Sequence, residues 1–488
     1  MHAFRRTVAA AAALALAACT LGPDYAKPAI DTPPAWRIDY PQAASVANTR
    51  WWLGFGDPVL TQLIDIALKE NRDLVIAAAR VESFLGALNT TRAQFYPQAN
   101  YNLGASRNRV SRVGASPLPE GADPYYTLYQ GALGAGWQID LFGRVARQTE
   151  AAQAQVYATE QGRRGVVLTL VASVATSYIA LRALDRQLEI SKATAKNFAD
   201  TQRIFDLRHK GGVVSQFELA QVQSQYQQAL AAIPAIEQQI AAQENLISVL
   251  LGRNSMPIPR GKPLDDLAHP GIPGDLPSSL LERRPDILQA EQNLIAANAN
   301  IGAAKALYFP TISLTGSLGS VSAAFGNFLS GPASAWSVAA GVAGPIFTAG
   351  AVAGQVRSAE AGQQEALAFY QQTILVAFRE TNDALTGTMK KRDETAAQAL
   401  RVAALREYAR LGRVRFNNGF SGYTEVLIAE NELFSAELEQ VRSNAERSTQ
   451  LIAVFKAMGG GWIDLADQGT AAGRDAPIGE RAAQQPLF

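Results

Sequence analysis

Two hydrophobic spacings alternate along this chain, and each predicts a different element. Between residues 125 and 141, Tyr125, Thr127, Tyr129, Leu133, Ala135, Trp137, Ile139 and Leu141 share one parity, while Gln130, Gly134, Gly136, Gln138 and Asp140 share the other. A repeat of two belongs to a strand whose faces meet different surroundings. Tyr126 and Leu128 break the rule near the strand start. The alternation recurs later: Ile312, Leu314 and Leu318 oppose Ser313, Thr315 and Ser317, and Trp336, Val338, Val342 and Ile346 oppose Ser337 and Gly341. Residues 219–250 instead place Leu219, Val222, Tyr226, Ala229, Ile233, Ile236, Ile240, Gln243, Ile247 and Leu250 at alternating steps of three and four. That is a helix seam of coiled-coil type, with a kink expected at Pro234.

Very long helices are permitted by what the sequence omits. No proline lies between Tyr125 and Ile233, or between Ile346 and Ala476. A helix over 143–208 would be roughly 100 Å long at about 1.5 Å per residue. No compact domain of this size is that wide. The helix expected over 73–95 and the returning helix together reach roughly 90 Å, so stacked end to end they can run antiparallel to the long one. Gly211 and Gly212, like Gly419 and Gly422, mark the reversals, since glycine enters the left-handed cap conformation without steric penalty.

The chain repeats itself. Asp73, Ala93 and Pro97 recur as Asp286, Ala306 and Pro310, while Gly143, Arg208, Gly212, Glu218 and Gly252 recur as Gly350, Arg415, Gly419, Glu425 and Gly459. The offset changes only between Pro97 and Gly143, where a surface hairpin loop tolerates a length change. The expected organisation is therefore a signal peptide (1–18), an N-terminal segment (19–70) and a first repeat (71–252) with hairpin about 98–141, long helix 143–208 and returning helix 215–250. A linker rich in proline and glycine (253–284) leads to a second repeat (285–459) with hairpin about 310–347 and helices 350–416 and 423–457, then a tail (460–488). The stretches 20–58 and 464–488 read as irregular and are expected to wrap the outside of the helical body.

Four strands facing lipid could not close alone, because open edges leave backbone groups unpaired and single-chain bacterial barrels start at eight strands. Copies of the chain would have to share a barrel: two copies give eight strands, three give twelve. An ordinary half-buried hairpin on a soluble core has the same period.

Composition removes most other functions. The formal charge is +1, which excludes bulk attraction to nucleic acid, and three histidines with one cysteine leave little material for metal sites or nucleophile pairs. His209 beside a helix turn and His269 in a proline-rich loop have no catalytic spacing. Arg5 and Arg6, an apolar run from Val8 to Ala18 and small residues before Cys19 form a secretory signal too short to span a bilayer. Leu16-Ala17-Ala18-Cys19 resembles the lipobox of bacterial lipoproteins, which would make Cys19 an acylated mature N-terminus, with Thr20 after it favouring the outer membrane.

Trp51-Trp52-Leu53-Gly54-Phe55-Gly56-Asp57-Pro58, Arg283-Arg284-Pro285-Asp286-Ile287 and Phe309-Pro310-Thr311-Ile312-Ser313-Leu314 resemble segments of the TolC-like outer-membrane factors, including the efflux lipoproteins among them. The resemblance covers nearly the whole mature chain. It implies a mainly α fold with a membrane β-barrel: a homotrimer with a twelve-stranded outer-membrane barrel continuous with a long periplasmic α-helical barrel, built from two tandem structural repeats. It implies passive conduction in a tripartite efflux pump, with a periplasmic adaptor and an inner-membrane transporter of resistance-nodulation-division type as partners, outer-membrane lipid around the barrel, no nucleic acid, no enzymatic activity and no cofactor beyond the lipid on Cys19. Family docking grooves map onto Gly212, Val213 and Val214 and onto Gly419, Phe420 and Ser421. The acidic ring of the tunnel mouth maps onto Glu425 and Ile428, only the first acidic here, and Arg208 and Arg415 are expected to pair with carboxylates that hold the tip shut. A periplasmic coiled-coil scaffold or adaptor lipoprotein is the alternative reading of the residues alone.

Overall fold

The computed structural model describes residues 20–29, 49–113, 118–271, 283–459 and 462–470. Cys19 and the signal segment lie outside the described residues. A 3-10 turn at Trp51–Phe55 opens into α1 (Pro58–Glu70), α2 (Arg72–Arg92), β1 (Gln98–Arg109), β2 (Tyr125–Ile139), α3 (Arg144–Lys210) and α4 (Gln216–Leu250). After the linker come α5 (Pro285–Lys305), β3 (Thr311–Ser322), β4 (Ser334–Ala343), α6 (Ala351–Asn417), α7 (Tyr423–Met458) and the short α8 (Trp462–Asp467). Both long helices, α3 and α6, have 67 residues, and α2 and α5 have 21 each, so corresponding elements match in length.

Local chemistry sets the helix ends. The Asp57 carboxylate accepts from Val59 N at 2.8 Å at the start of α1, where Pro58 occupies the first turn. Ser215 and Glu218 form a capping box at α4. At the far ends of α3 and α6 the reversals are the same motif. Val213 N donates to Arg208 O and Gly212 N to His209 O; Phe420 N donates to Arg415 O and Gly419 N to Phe416 O. Gly212 and Gly419 have φ of +72° and +77°, the left-handed residue such a cap requires.

The long helices are not equally covered. α3 packs against α2 and α4 of its own half and against α5 and α7 of the other, whereas α6 packs chiefly against α5 and α7. Of their 67 residues each, α3 buries 26 and α6 buries 14, so one flank of α6 stays open. Phe369, Leu375 and Leu400 are among its exposed apolar residues. The seam of α4 faces inward throughout: every one of its positions is buried or half-buried, and the polar member, Gln243, donates Nε2 to Ser177 O at 2.9 Å. Helix α4 continues through Pro234, which is exposed.

The main core lies at mid-length. Trp51 stacks on Phe455 with ring centroids 5.1 Å apart, and Trp462 meets Trp51 and Trp52 edge-on at 5.8 and 5.9 Å. Around them pack Val167 to Ala183 of α3, Ile247 of α4 and Ile258, Leu264 and Leu267 of the linker. The expectation that 20–58 wraps the outside is corrected at its last residues only: Trp51, Trp52 and Phe55, with Trp462 just ahead of 464–488, supply the centre of the core, because tryptophan pairs bury too much apolar area to remain on a surface. Residues 30–48 and 471–488 of those stretches lie outside the described residues. The apolar stretch that makes α3 long and hydrophobic enough to cross a membrane is mostly buried in the protein.

Candidate functional site

At one end of the helical body the four strands form a single antiparallel sheet in the order β1-β2-β3-β4. Register places Tyr101, Leu133, Leu318 and Trp336 in one cross-strand row. They are 77, 66, 59 and 75% exposed. Ile139, Ile312 and Val342 form a parallel row on the same face. On the opposite face Asn100, Gly134, Ser317 and Ser337 align, with the two serine hydroxyls 2.8 Å apart. No charged side chain occupies that polar face of the paired strands. Among the described residues β1 and β4 have a strand neighbour on one side only, so both edges of the sheet are open.

At the other end the two reversals sit side by side. Phe205 of α3 lies 4.4 Å from Tyr423 and 6.1 Å from Phe416, and Phe416 meets Tyr423 at 5.1 Å, tying the turns of the two halves together. Burial pushes the Tyr423 hydroxyl up to about 12, with the Glu430 carboxylate adding to the rise. Phe416 and Tyr423 fall within the tip expected over 415–423, though neither is assigned a role there, and Phe205 lies just outside the one expected over 208–217; aromatics beside both glycine turns are the available signal.

The expected tip residues fall as follows. The Arg208 guanidinium sits over the Phe416 ring at 5.7 Å, and among the described residues no ion pair to it is formed within one copy. Arg415 lies 3.9 Å from Glu425, both side chains largely exposed. Ile428 is exposed one helical turn further on. Val213 and Phe420 project from the turns, 74 and 76% exposed, beside Gly212 and Gly419, while Val214 packs against the tip core and Ser421 is half-buried. Between the tips and the mid-length core runs a groove of about 490 Å³ between α3 and the α6–α7 pair, lined by Arg186, Glu189, Phe198, Arg406, Arg413 and Glu437.

The start of the described chain is clamped beside the sheet. Arg147 of α3, 5% exposed, donates Nε to Leu21 O at 3.0 Å and Nη2 to Asp24 at 2.7 Å. Burial opposes the charge, but the Asp24 and Glu150 carboxylates, the latter accepting from Nη1 at 2.8 Å, hold its guanidinium above the usual arginine range. A Cβ on Gly143 would come within 2.9 Å of Thr20 Cα, so Thr20 lies where β2 gives way to α3. Among the described residues no cluster of three or more histidine, cysteine or acidic side chains could hold a metal ion.

Long paired helices carrying a four-stranded sheet with an apolar face, a neutral polar face and open edges are the architecture of an outer-membrane channel component. The family model described as outer membrane efflux protein matches residues 63–253 and 276–460. The chain is 33% identical over 460 residues to the solvent efflux pump outer membrane protein SrpC of Pseudomonas putida, covering 92% of this chain and 97% of that one. It is 31% identical over 455 residues to the cation efflux system protein CusC of Escherichia coli, covering 92 and 97%. The solved open state of the MtrE outer membrane channel of Neisseria gonorrhoeae superposes with a TM-score of 0.82 at 29% identity, covering 91% of this chain and 98% of that one. The chain belongs to the outer membrane efflux protein family, and its role is that of an outer-membrane channel component of an efflux pump.

Proposed function

We propose that three copies of this chain, each built from two tandem repeats, close a twelve-stranded barrel and a continuous helical tunnel beneath it, forming the passive exit duct of a tripartite pump. The observation that carries this reading is the unequal burial of two helices of identical length. In a lone copy α6 buries 14 residues against 26 for α3, and the sheet ends in two unpaired edges. A neighbouring copy would cover the open flank of α6 and pair β4 with its own β1, which removes every edge from the lipid. The apolar row of Tyr101, Leu133, Leu318 and Trp336 then faces hydrocarbon and the Asn100–Ser317–Ser337 row faces water, the alternation of a membrane barrel.

The remaining assignments follow from this arrangement. The chain divides into segments 19–70, 71–252, 253–284, 285–459 and 460–488, with a lipid on Cys19 anchoring it in the inner leaflet of the outer membrane; the clamp of Thr20 and Asp24 beside the end of β2 supports that depth. A periplasmic adaptor docks at Gly212, Val213, Val214, Gly419, Phe420 and Ser421, using Val213 and Phe420 as apolar knobs and the neighbouring groove between halves. An inner-membrane transporter of resistance-nodulation-division type supplies energy and selects cargo, and the duct performs no chemistry. Three Glu425 carboxylates at the mouth bias passage toward cations, and Arg208 and Arg415 help hold the tip shut. The test is direct: the purified mature protein should run as a trimer on cross-linking and produce stepwise conductance in planar lipid films. A soluble monomer that leaves such films silent would return the reading to a scaffold or adaptor lipoprotein.

A further inference from the structure

We propose that Arg107 and Arg109, on the outward face at the far rim of the first hairpin, bind the phosphate groups of lipid headgroups in the outer leaflet. The inference rests on the barrel reading above. In β1 the odd residues share the face of Tyr101 and Leu103, and register sets Arg107 opposite Thr127 and Arg109 opposite Tyr125 on that same face. Both arginines are therefore outside the barrel, away from its cargo.

Height along the strand identifies the medium they meet. Trp137, whose Nε1 donates to Phe95 O at 2.8 Å, marks the end of the sheet nearest the helices. Toward the other end Tyr129 and Phe325 pack edge-on at 5.5 Å. Trp137 and Tyr129 are eight positions apart, roughly 27 Å of strand at about 3.4 Å per residue and roughly 20 Å of height at a tilt of about 40°. That separation matches an apolar band about 25 Å tall bounded by aromatic girdles, with Tyr101 and Trp336 on the row between the two levels. Arg107 lies one outward position beyond Tyr129, and Arg109 one further, which is the headgroup level.

The charge there is built and unanswered. Both guanidinium groups approach the Tyr125 ring, Arg107 Cζ at 5.8 Å and Arg109 Cζ at 5.7 Å from its centroid. Among the described residues no ion pair involves either arginine. The loop that follows adds Arg112, and its acids are Glu120 and Asp123, of which Asp123 accepts from Tyr125 N at 3.0 Å. The turn of the second hairpin, residues 323–333, has no charged side chain. Two like charges held on one exposed ring favour a counter-anion, and the planar guanidinium fits phosphate in bidentate fashion. At this height on this face, phosphate is presented by lipid.

The experiment uses the full mature protein in detergent with lipid A, a glycolipid carrying two phosphates, and its dephosphorylated form as probes, with retained lipid counted by native mass spectrometry. The wild type should retain lipid A over the dephosphorylated lipid by about tenfold or more. The double variant Arg107→Gln/Arg109→Gln should lose that preference, and Arg107→Lys/Arg109→Lys should keep part of it. Equal retention by the wild type and the glutamine variant, or indifference of the wild type to phosphorylation, overturns the proposal. So does complete displacement by millimolar inorganic phosphate, which would mark a site for soluble anions. Planar-film conductance, recorded on each protein, separates the two readings. Normal conductance with no lipid preference rejects the headgroup site alone, whereas a silent wild type rejects the barrel.

Discussion

Asn71 donates Nδ2 to the Leu250 carbonyl at 2.9 Å, and at the matching point of the second half Arg284 donates Nη1 to the Ala457 carbonyl at 2.8 Å. Each contact joins the start of a short helix to the end of the returning helix, so two short rods act as one against the long helix beside them. The chain leaves each joint through a glycine, Gly252 at φ +74° and Gly459 at φ +63°. A Cβ on Gly252 would fall 2.2 Å from Glu70 O, leaving no room for another residue.

The two joints differ in what their loss would cost. Arg284 is 5% exposed and also binds Asp286 and Glu380 at 2.7 and 2.8 Å, whereas Asn71 is neutral and caps α2 through Leu74 N. Arg284→Ala should destabilise by about 2–3 kcal/mol, since a buried guanidinium loses charge-assisted hydrogen bonds to two half-exposed carboxylates and one to the Ala457 carbonyl. Asn71→Ala should cost about 1–2 kcal/mol, the worth of a cap and a hydrogen bond. Thermal unfolding of the solubilised protein should rank them in that order; the reverse order would show that the second joint is not the stronger.

At the tip, Glu425 is paired with Arg415 only at 3.9 Å and in solvent, a contact worth at most about 1 kcal/mol. Glu425→Ala should therefore leave unfolding nearly unchanged while lowering cation preference in single-channel recordings. Unaltered selectivity would make the residue a solvated carboxylate with no part in conduction.

The ring cluster of Phe205, Phe416 and Tyr423, capped by Arg208, should hold the two turns together more firmly than that ion pair. Aromatic pairs contribute about 0.5–1.5 kcal/mol beyond burial and an exposed cation–π contact about 0.5–1. Phe416→Ala should raise the open fraction of the isolated channel roughly 5–30-fold, as about 1–2 kcal/mol does in any two-state balance. Open probability in planar films is the measurement, and a value equal to wild type would show that the cluster does not restrain the mouth.

Acid should loosen the first turn before the second. Hydrogen bonds from the Ser215 backbone and then its hydroxyl hold the Glu218 carboxyl below the usual carboxylate range. A carboxyl with a lowered folded pKa adds stability above its unfolded value, near 4.5, and that stability is lost as pH falls through the folded value. Amide protection factors at 215–219, exchange rates divided into the intrinsic rate at each pH, should fall on acidification below about pH 4.5, with no matching change at 422–426, where Gly422 replaces the serine cap. Glu218→Gln should flatten the response.

The sequence announced its long elements plainly, because they depend on local rules. Proline-free stretches, the three-four seam from Leu219 to Leu250 and the parity of Tyr129, Leu133 and Trp137 each require only a neighbourly reading of the chain. What it hid was tertiary. Nothing in the spacing of Trp51, Trp52 and Trp462 says that segments 411 residues apart meet in one core. Arg208 reads as a salt-bridge former, and nothing in its spacing places Phe416, from the other half, beneath it. Equally, only strand register reveals that Arg107 and Arg109 leave the sheet on its apolar side.

The identical length of α3 and α6 carries a consequence for how such a chain can change over time. Inserting one turn into either alone would lift one reversal about 5 Å past its twin and pull Phe205 away from Phe416 and Tyr423. Any drift in the span of the conduit must therefore arrive in matched instalments, one per half, and the distance it bridges is written twice in the same gene.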